Sequence, residues 1–187
     1  MLKTVSELNV PYVMMHMRGT PETMQKLTDY DDVVEEISTS LYKLSEDAES
    51  AGKMRSCNGI ETLYLSLTFI LIYFEGICKW FHILDPGIGF AKTFEQNLLL
   101  LSNIDEIRES LCNAPILTGV SRKGFIGKIT GEQNAYDRDY GTAGICAAIA
   151  QKGGSNIMRV HNVRGIKHAV AMVDAIRVYN RPKKCKV

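Results

Sequence analysis

The feature that most constrains this chain is a rhythm. Four short apolar runs, Pro11–Met15, Phe81–Leu84, Pro115–Thr118 and Ile157–Val160, are each followed by a stretch with helical spacing. Short apolar runs bounded by turn residues read as buried strands. Strands joined through helices must run parallel, with right-handed crossovers. After the first run, Val33, Val34, Ile37, Leu41, Leu44 and Ala48 recur every three or four residues, and Gly52 reads as the cap that closes this helix. Asp31, Asp32, Glu35 and Glu36 crowd its start, where the helix dipole favours negative charge. Leu98 to Leu101, Ile104, Ile107 and Leu111 supply the next helical positions. Gly119–Gly127 reads as a loop entering a helix with Ser121 near its N-cap. Asp139–Lys152 and Val163–Tyr179 read as two further helices. The fold class is therefore α/β. A closed barrel of such units needs eight and typically about 250 residues. This chain has 187 residues and four units, so residues 1–180 are expected to form half a barrel. The basic tail 181–187 is expected to fray.

Residues 53–76 break the rhythm. Without them the first long helix would run directly into the Phe81 strand. Their apolar run Leu63–Phe74 is too short for a membrane span, which needs about 20 residues. An amphipathic partner helix and an extra buried strand or helix are two readings. We favour a third, a translated retained intron: Gly52-Lys53-Met54 can be encoded with a GTAAG splice donor, and the Leu, Phe, Ile and Tyr codons that follow can be pyrimidine-rich.

In parallel α/β folds the chemistry gathers at the C-terminal strand ends. Here the second end is Leu84-Asp85-Pro86-Gly87-Ile88-Gly89-Phe90-Ala91-Lys92. A carboxylate there can accept hydrogen bonds from an amino-substituted heterocycle, and two glycines let the backbone approach a flat ligand. Asp-Pro-Gly is also ordinary turn chemistry. The other ends carry Met15 and His16, Gly119 to Lys123, and Arg159 with His161. Lys123 is a donor for a ring carbonyl or nitrogen; Arg159 and His161 can hold an anion, as can backbone N–H groups near Ser121. Taken singly, the histidines, the methionines and the Arg122-Lys123 pair read as core or solvated surface. Four strand ends with complementary chemistry argue for one site.

The 22 basic and 21 acidic residues nearly balance, which argues against a nucleic-acid or anionic-membrane partner. Five scattered cysteines without a CxxC pair suggest neither a disulfide framework nor zinc, but free thiols in a reducing compartment. Met1 to Thr4 do not open a signal or transit sequence, and read as the interior of a longer protein.

Met14-Met15-His16-Met17-Arg18-Gly19, Asp85-Pro86-Gly87-Ile88-Gly89-Phe90, Gly119-Val120-Ser121-Arg122-Lys123 and Arg159-Val160-His161-Asn162-Val163 together resemble dihydropteroate synthase, in that family's order and at about its spacing once residues 53–76 are set aside. The likeness is nearest to the plant-type bifunctional protein, in which this domain follows a hydroxymethyldihydropterin pyrophosphokinase. The resemblance implies a TIM barrel, of which this chain holds about the last four βα units. It implies a transferase of folate biosynthesis that joins 6-hydroxymethyl-7,8-dihydropterin diphosphate to 4-aminobenzoate, giving dihydropteroate and diphosphate. Asp85 and Lys123 would hold the pterin, with Met15 and Gly119 lining its pocket. Phe90, Ser121 and Arg122 would lie by the aminobenzoate, and Arg159 and His161 would grip the diphosphate. Lys123, Arg159 and His161 would carry the catalysis. It further implies magnesium with the diphosphate, its protein ligand lying in the other half of the barrel, a possible homodimer, and a mitochondrial location. Gly124 departs from the family, where a larger or hydroxylated residue is expected. Two other readings stand beside this one: a catalytically inactive truncated or intron-retaining product that at most binds pterin, and another pterin-binding barrel such as a methyltetrahydrofolate methyltransferase domain. The Ser121-Arg122-Lys123 segment argues against the latter.

Overall fold

A computed structural model describes residues 1–51, 77 and 79–179. Its strands are β1 Tyr12–Met15, β2 His82–Asp85, β3 Leu117–Thr118 and β4 Ile157–Met158. β1 and β2 pair in parallel from Tyr12 opposite His82 to Met15 opposite Asp85. A parallel bridge from Leu84 to Ile116 joins β2 to the lead-in of β3. β3 and β4 pair in parallel, Leu117 opposite Ile157. The four expected strands therefore lie side by side in chain order, and their loaded ends emerge at one edge.

The helices are α1 Leu2–Leu8, α2 Val33–Ser50, α3 Phe94–Ser102, α4 Ile104–Ser110, α5 Gly124–Thr130, α6 Asp139–Lys152 and α7 Val163–Tyr179. The Asp32 carboxylate caps α2, accepting from the N–H groups of Val34 and Glu35. Thr93 and Gln96 close a reciprocal capping box on α3. Ile37 and Leu41 of α2, Leu100 of α3, and Ile104 and Ile107 of α4 are fully buried with Leu84 and Ile116 of the sheet. Each such side chain contributes about 1.5–3 kcal/mol on leaving water. This core holds the strands rigid beneath their functional ends.

Two expectations need correction. The single helix read from Leu98 to Leu111 is two, α3 and α4, broken at Asn103, whose side chain donates to the Leu99 carbonyl. An amide that bonds the last turn of a helix competes with its continuation. The strand β4 stops at Met158, before the Val160 expected. The N-cap of α5 is Lys123, two residues after Ser121, as the sequence reading expects. Gly52, the 53–76 segment and the 181–187 tail lie outside the described residues. The flanks of that segment meet: the Ile77 N–H donates to the Ala48 carbonyl at 3.1 Å.

Candidate active site

Asp85 is the last residue of β2 and is 3% exposed. Its Oδ1 accepts the Gly87 N–H at 2.7 Å, which fixes the carboxylate at the mouth of the loop. Burial raises its pKa above the ordinary carboxyl range, and the cations of Lys123, Arg159 and Lys92 oppose that shift. Gly87 sits at φ 67°, and a Cβ there would stand 2.0 Å from the His16 carbonyl oxygen. Only glycine lets the β2 loop lie so close to the end of β1.

Lys123 crosses from the loop after β3 to the loop after β2. Its Nζ donates to the Ile88 carbonyl and stands 4.8 Å from the centre of the Phe90 ring. Burial lowers its pKa to about 8, against the pull of Asp85. Lys123 and Phe90 line an open groove of about 580 Å³ shared with Gly124, Phe125, Gln25 and Lys128. A cation over an aromatic face beside a deep carboxylate suits a flat, polar-edged ring with a second aromatic ligand alongside.

The other half of the edge is more open. Arg159 is exposed, and its guanidinium lies where a Cβ on Gly119 would fall, 2.8 Å from Nη2. Gly119 is thus the floor on which Arg159 lies. The Ser121 hydroxyl bonds both the N–H of His161 at 3.2 Å and its Nδ1 at 2.9 Å. Ser121 therefore orients His161; it does not head the helix. Met15 is half-buried opposite Asp85 in the β1–β2 register.

Arg122 is the expected residue that the structure turns elsewhere. Its backbone is left-handed, at φ 61°. Its guanidinium forks onto Asp139, with Nε at 2.7 Å and Nη2 at 2.9 Å from the two carboxylate oxygens. It also covers the Tyr136 ring. Arg122 braces the α5–α6 junction, with its Nε and Nη2 donating to Asp139.

Sequence reasoning passed over two residues. Asn97 is buried and its Oδ1 accepts the Gly89 N–H at 2.5 Å. Lys92 is 3% exposed. A lysine two residues past a glycine-rich turn carries no signal of burial. Asn97 carried one, as a polar residue one helical turn after the Thr93 cap.

The sequence model of the family described as "Pterin binding enzyme" matches residues 1–56 and 71–161. The chain belongs to this family.

Among similar curated proteins, the mitochondrial folate synthesis bifunctional protein of Pisum sativum is 41% identical over 94% of this chain and 31% of its own length. Dihydropteroate synthase of Synechocystis is 38% identical over 94% of this chain and 51% of its own. The chain thus spans between about a third and a half of these relatives. Among solved structures, the Yersinia pestis dihydropteroate synthase in complex with a sulfonamide drug superposes with a TM-score of 0.78 at 27% identity, over 96% of this chain and 55% of that one. The Thermus thermophilus enzyme in complex with 4-aminobenzoate gives 0.76 at 30% identity, over 94% and 60%. As a pterin binding enzyme the chain therefore has the α/β fold of the dihydropteroate synthases along most of its length.

Among the described residues no group of three or more His, Cys, Asp and Glu side chains could hold a metal ion. Nor is any described helix long and apolar enough to cross a membrane.

Proposed function

We propose that these four βα units are half of a dihydropteroate synthase barrel, and that their edge binds 6-hydroxymethyl-7,8-dihydropterin diphosphate for condensation with 4-aminobenzoate. The observation that carries the proposal is the meeting of Asp85 and Lys123 over the Gly87–Phe90 loop. A buried carboxylate can accept the amino and ring N–H groups of the pyrimidine edge. Lys123 can donate to the pterin ring from the other side, with Phe90 turned to the aminobenzoate groove.

Arg159 and His161 would take the diphosphate. The bond from the exocyclic methylene carbon to the diphosphate oxygen breaks, and its electron pair leaves with the diphosphate. The amine nitrogen of 4-aminobenzoate forms the new bond to that carbon and releases one proton. Cationic groups placed at the departing oxygens stabilise the charge that develops there. Lys123, with a pKa of about 8, is mostly protonated near neutrality and can stabilise the pterin as the bond breaks. Holding both reactants in adjoining pockets supplies the rest through proximity. Magnesium would accompany the diphosphate rather than these residues, and no step here depends on it. Arg122, whose Nε and Nη2 donate to Asp139, is given no part in these steps.

The remaining parts of the reading rest on resemblance. A homodimer would leave the exposed apolar side chains of α7, such as Met172 and Ile176, covered. A mitochondrial location follows the relatives from Pisum sativum and Arabidopsis thaliana, whose names carry it.

Dihydropteroate formation by the purified 187-residue chain, given pterin diphosphate, 4-aminobenzoate and magnesium, tests the proposal. Turnover that disappears in Lys123→Ala supports it. Absence of both turnover and pterin binding, where a full-length relative works under the same conditions, overturns it for this chain.

A further inference from the structure

The Asp85–Lys92 loop is held from behind by an ion that takes no part in the proposed chemistry. The Lys92 Nζ lies 2.9 Å from the Phe90 carbonyl, 3.0 Å from the Gly87 carbonyl and 3.2 Å from Nδ1 of His16. Burial lowers the Lys92 pKa to about 7, yet in either protonation state the amine keeps at least two protons to donate among these three acceptors. His16 is 4% exposed and its pKa is pushed down to about 4, mainly by burial, so its ring is neutral and Nδ1 can accept. The next carbonyl along, that of Ala91, accepts the Tyr30 hydroxyl at 3.0 Å. On the opposite side Lys123 takes the Ile88 carbonyl and Asn97 takes the Gly89 N–H. Each residue of the loop from Gly87 to Ala91 thus has a backbone group tied by a side chain. A lysine tail of four methylenes is buried to reach that point, although lysine is among the residues least often fully buried.

We propose that Lys92 is a positioning residue: by joining the Gly87 and Phe90 carbonyls to His16 at the end of β1, it fixes the angle at which Asp85 and Phe90 face the bound pterin and its partner. Without that amine two carbonyls and a ring nitrogen lose a buried donor at once. The loop would relax toward water, and the glycines would let it do so. This inference rests on the pterin site proposed above, and goes beyond it in assigning a residue at the border of the Phe90–Lys123 groove whose Nζ is bonded to the loop.

The test uses the full 187-residue chain and two readouts. Amide hydrogen exchange at Gly87, Gly89 and Phe90 reports the loop, and the Kd for 6-hydroxymethyl-7,8-dihydropterin reports the site. Lys92→Met keeps the length and apolar bulk and removes the donors. It is expected to speed exchange at those amides about tenfold and to raise Kd about tenfold. Asp85→Asn keeps an oxygen to accept the Gly87 N–H, so it should weaken pterin binding with the loop still protected. Unchanged exchange in Lys92→Met overturns the proposal, as does faster exchange with unchanged Kd. If the unmodified chain binds no pterin, the functional reading fails, and exchange alone decides whether Lys92 holds the loop. Should Lys92→Met not fold, Lys92→Gln, which keeps two donors on a shorter arm, reads the same quantities.

Discussion

The two strand pairs present the same edge of the sheet in opposite styles. At the β1–β2 end the functional group is a deep carboxylate, and the loop around it is tied by Lys92, Tyr30, Asn97 and Lys123. At the β3–β4 end Arg159 and His161 are exposed, and one serine hydroxyl aligns the histidine. The difference matches two kinds of ligand. A flat heterocycle is recognised by donors and acceptors at fixed angles, so its frame must be rigid. A diphosphate is recognised by charge, which tolerates motion and works from the surface.

Four substitutions, one pH titration and one deletion would break or sharpen this contrast. The largest effect is expected from Asp85→Ala, which leaves the pterin amino edge unpaired; a cost of about 2–3 kcal/mol weakens binding roughly 30- to 150-fold by calorimetry. Arg159→Ala is expected to weaken diphosphate binding about tenfold while leaving a pterin without phosphates unaffected. The wild-type affinity for diphosphate should also fall with added salt, and that slope should flatten in the variant. A pterin affinity that drops equally in Arg159→Ala would erase the division between the two ends. Ser121→Ala should cost about 1 kcal/mol in diphosphate affinity, roughly fivefold, by freeing His161 to turn. The pH dependence of folding should be gentler. Lys92 and Lys123 have folded pKa values of about 7 and about 8, below the ordinary 10.5. The unfolded chain therefore binds more protons above pH 7, and stability should rise from there toward pH 10. Thermal melts of Lys92→Met across that range should show a shallower rise. Least of all should change on removing residues 53–76 and joining Gly52 to Ile77, because Ala48 and Ile77 already share a hydrogen bond. A large loss of melting temperature in that deletion would give the segment a structural role.

Much of this could be read from the residues. The apolar runs found all four strands, because a short β segment between turn residues has little else to be. The strand ends named Asp85, Lys123, Arg159 and His161, which the fold does bring to one edge. What escaped depended on directions that a sequence does not carry. Arg122 stands beside Lys123 in the chain, yet a left-handed backbone at that one residue sends its guanidinium to Asp139. Ser121 lies near the helix cap as read, but its hydroxyl serves a histidine 40 positions away. The break at Asn103 is a contest between a side-chain amide and the next helical turn, which periodicity alone does not register. Lys92 stands in the key loop, but its role was not legible because its partners are His16, 76 residues earlier at the end of β1, and carbonyls that every residue possesses.

Gly87 carries a consequence for inheritance. What excludes a side chain there is the carbonyl oxygen of residue 16, not the imidazole attached to it. Every amino acid brings that oxygen. A gene that has lost this glycine therefore cannot be repaired by exchanging the residue it collides with, as a clash between two side chains often can. Revertants at this position should restore glycine itself, or should shift strand β1 as a whole.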